Sequence, residues 1–319
     1  MPLDKLPDYD QLAPAPHGGR SGWGVFGSDD SIGLLNLLTP ERVLAASKLV
    51  HQGKVFALNA EVDAFSPAIS SPRGLPQRRE IHRDGTIYFD DAYDNFNPQG
   101  SSQWDSLGHV GYSVNAFYNG ATEEDVATGR RNTIDHWARR GIAGRGVVLD
   151  MVRTLTDVGR SYDPGSSVGF SVSDLELARH RAGMDFGPGD IMILHTGFSS
   201  WYRDQPLSVR AALAEHTTTP GLQSGEEMCR YLWNLQISSV VSDTFAVEVT
   251  PLDLEAADAT GFLHRMLIGQ FGMALGELWW TEELANDCAI DGVYEVFIVS
   301  APMNVRGGVG SPSNALAIK

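Results

Sequence analysis

Gln99, Gln103, Asp105 and His109 fall four, two and four residues apart in NPQGSSQWDSLGHVGY, a stretch otherwise rich in small residues. Aspartate and histidine bind metals and move protons, and a glutamine side chain adds a neutral oxygen donor. Pro98, Gly100 and Gly108 argue against one helix across the stretch. One straight strand would put all four side chains on one face, because every spacing is even. Ten extended residues span about 33 Å, however, which is too far for one ion. The workable geometry is a strand or loop that curls, bringing 99, 103 and 105 together with His109 close by. Two amides and a carboxylate form a hard, oxygen-rich set that suits manganese or magnesium without excluding zinc. A bound ion would lower the pKa of water toward ~7, and a nearby His109 could take its proton. On residue chemistry alone, a solvated turn is the commoner setting for such residues.

The elements around this stretch predict one α/β domain. Residues 1–22 are rich in Pro and Gly and read as an arm laid over the surface or over a neighbouring subunit, leaving 23–319 as the domain. Thr39 and Pro40 open a helix in LLTPERVLAASKLV. Strands are expected at Val55–Leu58, Gly146–Asp150, 191–195, SSVVSD and VYEVFIVSAP. A capping box of Ser173 and Glu176 is expected to start the helix that stops at Gly183. Thr219-Pro220 should open another helix, and 261–286 reads as mostly helical. The long polar segment 64–101 is suited to a lid or a subunit contact.

The chain has 319 residues and a formal charge of −16, with 24 Lys+Arg against 40 Asp+Glu. That balance excludes a nucleic-acid surface, which needs clustered cations to neutralise phosphates. No apolar run reaches the ~20 residues of a membrane span, and no apolar leader is visible. Cys229 and Cys288 lie outside any CxxC pattern and are expected as reduced thiols in a cytoplasmic protein. Gly165–Gly169 matches GxSxG, but the polar RSYDP before it lacks the buried strand a nucleophile elbow needs, so it reads as a turn. RGGVGSPS does not fit GxGxxG, so no dinucleotide cofactor is expected.

The opening stretch resembles the signature of the cyclase family of metal-dependent hydrolases, which includes kynurenine formamidase and isatin hydrolase. Asp105 and His109 match the Asp and last His of HxGTHxDxPxH, with Gln99 and Gln103 where its first two His stand. QxxxQxDSxxH is similar to the variant signature of the trans-dienelactone hydrolase branch. WGVFGSDDSIGLLNLLTPERVLAA, HWARRGIAGRGVVLD, GDIMILHTGF, VVSDTFAVE and LHRMLIGQFGMALGELW resemble further blocks of the family.

The resemblance implies a cyclase-like swivelling β/β/α fold, a β-barrel-like mixed sheet flanked by helices, assembled as a homodimer or homotetramer. It implies Gln99, Gln103 and Asp105 as ligands of Mn2+ or Zn2+, with His109 as base or as a partner of the water, and with His264 and Glu277 completing the site as ligands of a second ion or as hydrogen-bond partners of that water. Positions thirteen apart on one helix lie ~19 Å apart along its axis, so the resemblance requires a break between His264 and Glu277, which Gly269, Gly272 and Gly276 permit. Trp23, Phe26, Asn36 and Asp243 are candidates for a pocket around a small, flat substrate. The implied activity is hydrolysis of a lactone, cyclic amide or N-acyl bond. A lyase or cyclase using the same ion, and a non-catalytic binding protein on the same fold, are the alternatives.

Overall fold

Runs of aliphatic residues build the centre of the sheet, and shorter polar strands extend it to the site. The computed structural model describes residues 6–69, 72–82, 85 and 87–319. In chain order its main sheet comprises β1 (Val55–Ala57), β2 (Gln103–Asp105), β3 (Ile142–Asp150), β4 (Ile191–His195) and β5 (Ser239–Ser242). It continues with β6 (Ala274–Glu277), β7 (Glu295–Ser300), β8 (Gly310–Pro312) and β9 (Ala315–Ile318). Their spatial order is β8-β2-β6-β5-β4-β3-β7-β9-β1. Strands β3 to β6 are parallel, and the pairs on either side of them are antiparallel. This curled, half-barrel mixed sheet in one α/β domain is the expected fold class.

Every residue of β4 and β5 is buried, as suits parallel strands covered on both faces. Helices α1 (Pro40–Ser47), α2 (Val172–Ala182) and α5 (Glu282–Asp291) pack on β3, while α3 (Glu226–Asn234) and the one-turn α4 (Leu263–Leu267) pack together elsewhere. Thr39 caps α1 through the Arg42 amide, with Pro40 at the first helical position. Among the described residues no helix is long and apolar enough to cross a membrane.

Three local expectations are corrected. The capping box of α2 is Ser171 with Asp174, not Ser173 with Glu176. Ser173 already lies inside the first turn, and Glu176 pairs with Arg179 at 2.7 Å. Helix α3 begins at Glu226 rather than Thr219, because the Thr219 amide bonds the Thr250 hydroxyl and Gly221–Leu222 pairs with Gly169–Phe170 as a short parallel bridge. Segment 261–286 is helical only in α4 and in the start of α5, with β6 between them. Gly272 makes that break with φ +66, where a Cβ would lie 2.6 Å from the Tyr118 ring.

The described part of the N-terminal arm lies on the core of its own chain: Leu6, Tyr9 and Leu12 are buried, and Tyr9 meets Phe271 edge-on. Residues 1–5 lie outside the described residues. Segment 64–101 carries an antiparallel hairpin, Gln77–His82 with Phe89–Asp94, that exposes Ile87 and Phe89. GxSxG is a turn, in which the Ser166 hydroxyl bonds Asp163 O at 2.6 Å.

Candidate metal centre

Strand β2 aims the motif. Alternation puts Gln103 and Asp105 on one face and Trp104 on the other, where its ring packs edge-on against Trp279 at 4.9 Å and its indole N–H reaches Ser300 at 2.9 Å. Register places Glu277 of β6 directly opposite Gln103, so their side chains share a face. On the other edge, β8 sets Gly310 opposite Asp105. A Cβ at Gly310 would come within 2.4 Å of Gln99 Cγ, so only glycine leaves room for that side chain. Gln99 sits in a turn closed by Asn97, and His109 in a turn whose amide bonds Ser106 O at 3.0 Å. His264 reaches the same face from the first turn of α4.

All six expected residues therefore meet, within a chain distance of 178 positions from Gln99 to Glu277. Ligand atoms of Asp105, His264 and Glu277 lie within 4.8 Å of one another. His264 Nε2 is 3.0 Å from Glu277 Oε1, and Gln103 Nε2 donates to Glu277 Oε2 at 2.7 Å. Gln99 Nε2 donates to Asp105 Oδ1 and lies 3.0 Å from His109 Nδ1. The other Asp105 oxygen, Oδ2, is buried without a hydrogen-bond partner. An orphaned carboxylate oxygen is costly in a protein interior unless a cation meets it. The donor set thus fits a divalent ion held by Asp105, His264 and Glu277.

The electrostatics agree. Burial opposes a charge on His264, yet its bonds to Glu248 and Glu277 raise its pKa well above the ordinary value. Burial and the Asp105 carboxylate push Glu277 up to about 7, against the pull of His264. Burial lowers His109, although Asp105 acts in the opposite direction.

Two residues of the site carry no sequence signal by spacing. Glu248 accepts from the Leu263 and His264 amides at 2.7 and 3.0 Å, from His264 Nδ1 at 2.6 Å and from Ser224 at 2.8 Å. It thereby caps α4 and orients the imidazole, leaving Nε2 for the centre. Arg73, from the long polar segment, donates through Nη1 to Gln99 O at 2.5 Å and to Gln103 Oε1 at 3.3 Å.

The structure draws the four expected pocket residues into other networks. Trp23 donates to Gly269 O at 2.8 Å, and Phe26 packs against the main core. Asn36 bonds Asp30 at 2.7 Å. Asp243 accepts from the Thr196 amide and hydroxyl, both at 2.8 Å, tying the ends of β4 and β5. The amides of Gln99 and Gln103 both turn nitrogen toward Asp105 Oδ1.

The family model described as "Putative cyclase" matches residues 44–249. The chain belongs to that cyclase family. A crystal structure of a novel cyclase is similar to this family member over 94% of this chain and 99% of its own, with 30% identity and a TM-score of 0.82. Isatin hydrolase A from Labrenzia aggregata aligns over 87% of this chain and 97% of its own, with 15% identity and a TM-score of 0.61. The Ralstonia solanacearum isatin hydrolase A aligns over 88% and 98%, with 16% identity and a TM-score of 0.59. At those identities the two isatin hydrolases share the fold with this cyclase-family chain. No curated protein matches it in sequence.

Proposed function

We propose that this cyclase-family protein is a metal-dependent hydrolase that opens a lactone, cyclic amide or N-acyl bond of a small cyclic substrate. The observation that carries the proposal is the buried, partnerless Asp105 Oδ2 beside His264 and Glu277. Mn2+ or Zn2+ is the proposed ion. When bound, it supplies a Lewis acid that polarises a carbonyl and lowers the pKa of water. The chain's own residues do the rest. His109, neutral at pH 7 and partly exposed at the edge of the centre, accepts the proton of the attacking water and passes it to the leaving group. Arg73 adds a positive charge beside neutral glutamines, favouring a substrate that bears a carboxylate, as a dienelactone does.

The test strips the protein of metal, reloads it with Mn2+ or Zn2+, and assays lactones and aryl-formamides in oxygen-18 water. Activity should vanish with chelator, return with metal, and place one oxygen-18 in the product. Turnover without that label would sink the hydrolase reading.

The pH profile gives a second test. Because His109 must be neutral and its pKa is lowered from 6.5, this base should limit kcat/KM only on the acid side. There kcat/KM should fall as pH drops through a value below 6.5, by about tenfold per unit once the base is mostly protonated. A flat profile down to pH 4 would remove His109 from the role.

A homodimer or homotetramer in the cytoplasm is part of the same proposal. The exposed Ile87 and Phe89 of the hairpin are a surface for a second copy to cover, and Cys229 and Cys288 are buried and unpaired. A single 34.6 kDa species in sedimentation velocity would overturn the oligomer.

A further inference from the structure

We propose that Gln103 is a donor clamp on the two carboxylates of the centre, not an oxygen ligand of its ion, and that Arg73 sets the orientation of its amide. The inference rests on the metal-centre reading for one arm of its test and on the polypeptide alone for the other.

Gln103 lies between groups of single polarity. On one side is the Arg73 guanidinium, 3.3 Å from Oε1, which can only donate. On the other are Glu277 Oε2 at 2.7 Å and Asp105 Oδ1 at 3.5 Å, which accept when ionised. One amide orientation satisfies both sides. The reverse would set N–H against guanidinium and oxygen against carboxylate. Amide oxygen and nitrogen have nearly the same shape, so the hydrogen-bond network decides between them.

Gln103 is wholly buried, so bulk solvent does not compete with these partners. Arg73 is itself held, by Gln99 O and by the Phe245 ring beneath its guanidinium at 5.6 Å. Gln99 is turned in the same sense, its nitrogen on Asp105 Oδ1. The residue type now has a reason. A side chain that stays neutral while offering two N–H groups from one atom can bridge two buried carboxylates; an imidazole does so only as the charged imidazolium, and a carboxylate does not. Asp105, His264 and Glu277 are left as the ion's own ligands.

The experiment uses Gln103→Met and Arg73→Met in the full chain, with Mn2+ as the probe in titration calorimetry. For a clamp, metal-free Gln103→Met should melt lower by roughly 5 °C, because two buried carboxylates lose their donor. Its Mn2+ affinity should fall by about 10–100-fold, as for a residue that orients ligands. An unchanged metal-free Tm with a loss of Mn2+ binding beyond 100-fold would show an oxygen ligand and overturn the proposal.

Where Gln103→Met does not fold, NMR of the native protein labelled in its glutamine side chains decides. The Gln103 NH2 protons should be protected from exchange in both the metal-free and the Zn2+-loaded protein. A displaced Cδ resonance with loss of that protection on Zn2+ loading would overturn the clamp. In Arg73→Met the same NH2 signals should lose protection or split, and unchanged signals would remove Arg73 from the positioning role. Should native protein bind neither ion, the metal reading fails, while the metal-free Tm still tests the clamp.

Discussion

Asp105→Asn is expected to leave a folded protein that holds no Mn2+ or Zn2+ and to lower kcat/KM by about 10³-fold or more, roughly 4 kcal/mol of transition-state stabilisation. Asp105 is wholly buried and is the residue around which the others are arranged: Gln99 and Gln103 donate to Oδ1, while Oδ2 has no protein partner. The amide oxygen of Asn can still accept from both glutamines, but the anionic oxygen for the ion is gone. Removing a buried charge whose Oδ2 has no partner should leave the metal-free protein at least as stable as the native one, the usual relation at sites that store strain for function. Metal content by mass spectrometry and thermal melts of the stripped proteins check both parts. Native metal content in Asp105→Asn would remove Asp105 from the centre.

Glu248→Gln separates the shape of the second partner of His264 from its charge. Glu248 is buried and accepts four hydrogen bonds, two from the start of α4, one from the His264 ring and one from Ser224. An amide in its place keeps one acceptor and turns an N–H toward groups that donate. Metal affinity and kcat/KM are expected to fall by about 10–100-fold, the usual cost of losing a carboxylate that orients a ligating imidazole. Glu248→Ala is the harsher change: it leaves His264 Nδ1 and the Leu263 and His264 amides buried without their acceptor, at about 3–5 kcal/mol of stability. Equal metal affinity in native and Glu248→Gln protein would show that His264 binds no ion.

Much of the frame was legible because it rests on local periodicity. The runs IMILH and SVVS are strands in any fold that buries them, and Thr39-Pro40 caps a helix through bonds within four residues. The boundaries that failed at Glu226 and in 261–286 are places where a distant partner decides, whereas the cap at Ser171 is a local bond with Asp174. Thr219 is taken by Thr250 instead of capping a helix, and Gly272 turns the chain against Tyr118.

The site divides along the same line. Even spacing within a strand is local, so the sequence by itself determined that Gln103 and Asp105 share a face and that the glycines and serines around them let Gln99 and His109 close in. Likeness to the family motif added His264 and Glu277. Tertiary structure alone decided that β6 sets Glu277 across from Gln103, that Glu248 holds His264 from sixteen residues away, and that Arg73 turns the Gln103 amide from thirty residues away. These are contacts between segments whose separation in the chain carries no periodicity, and they exist only once the sheet has brought its strands together.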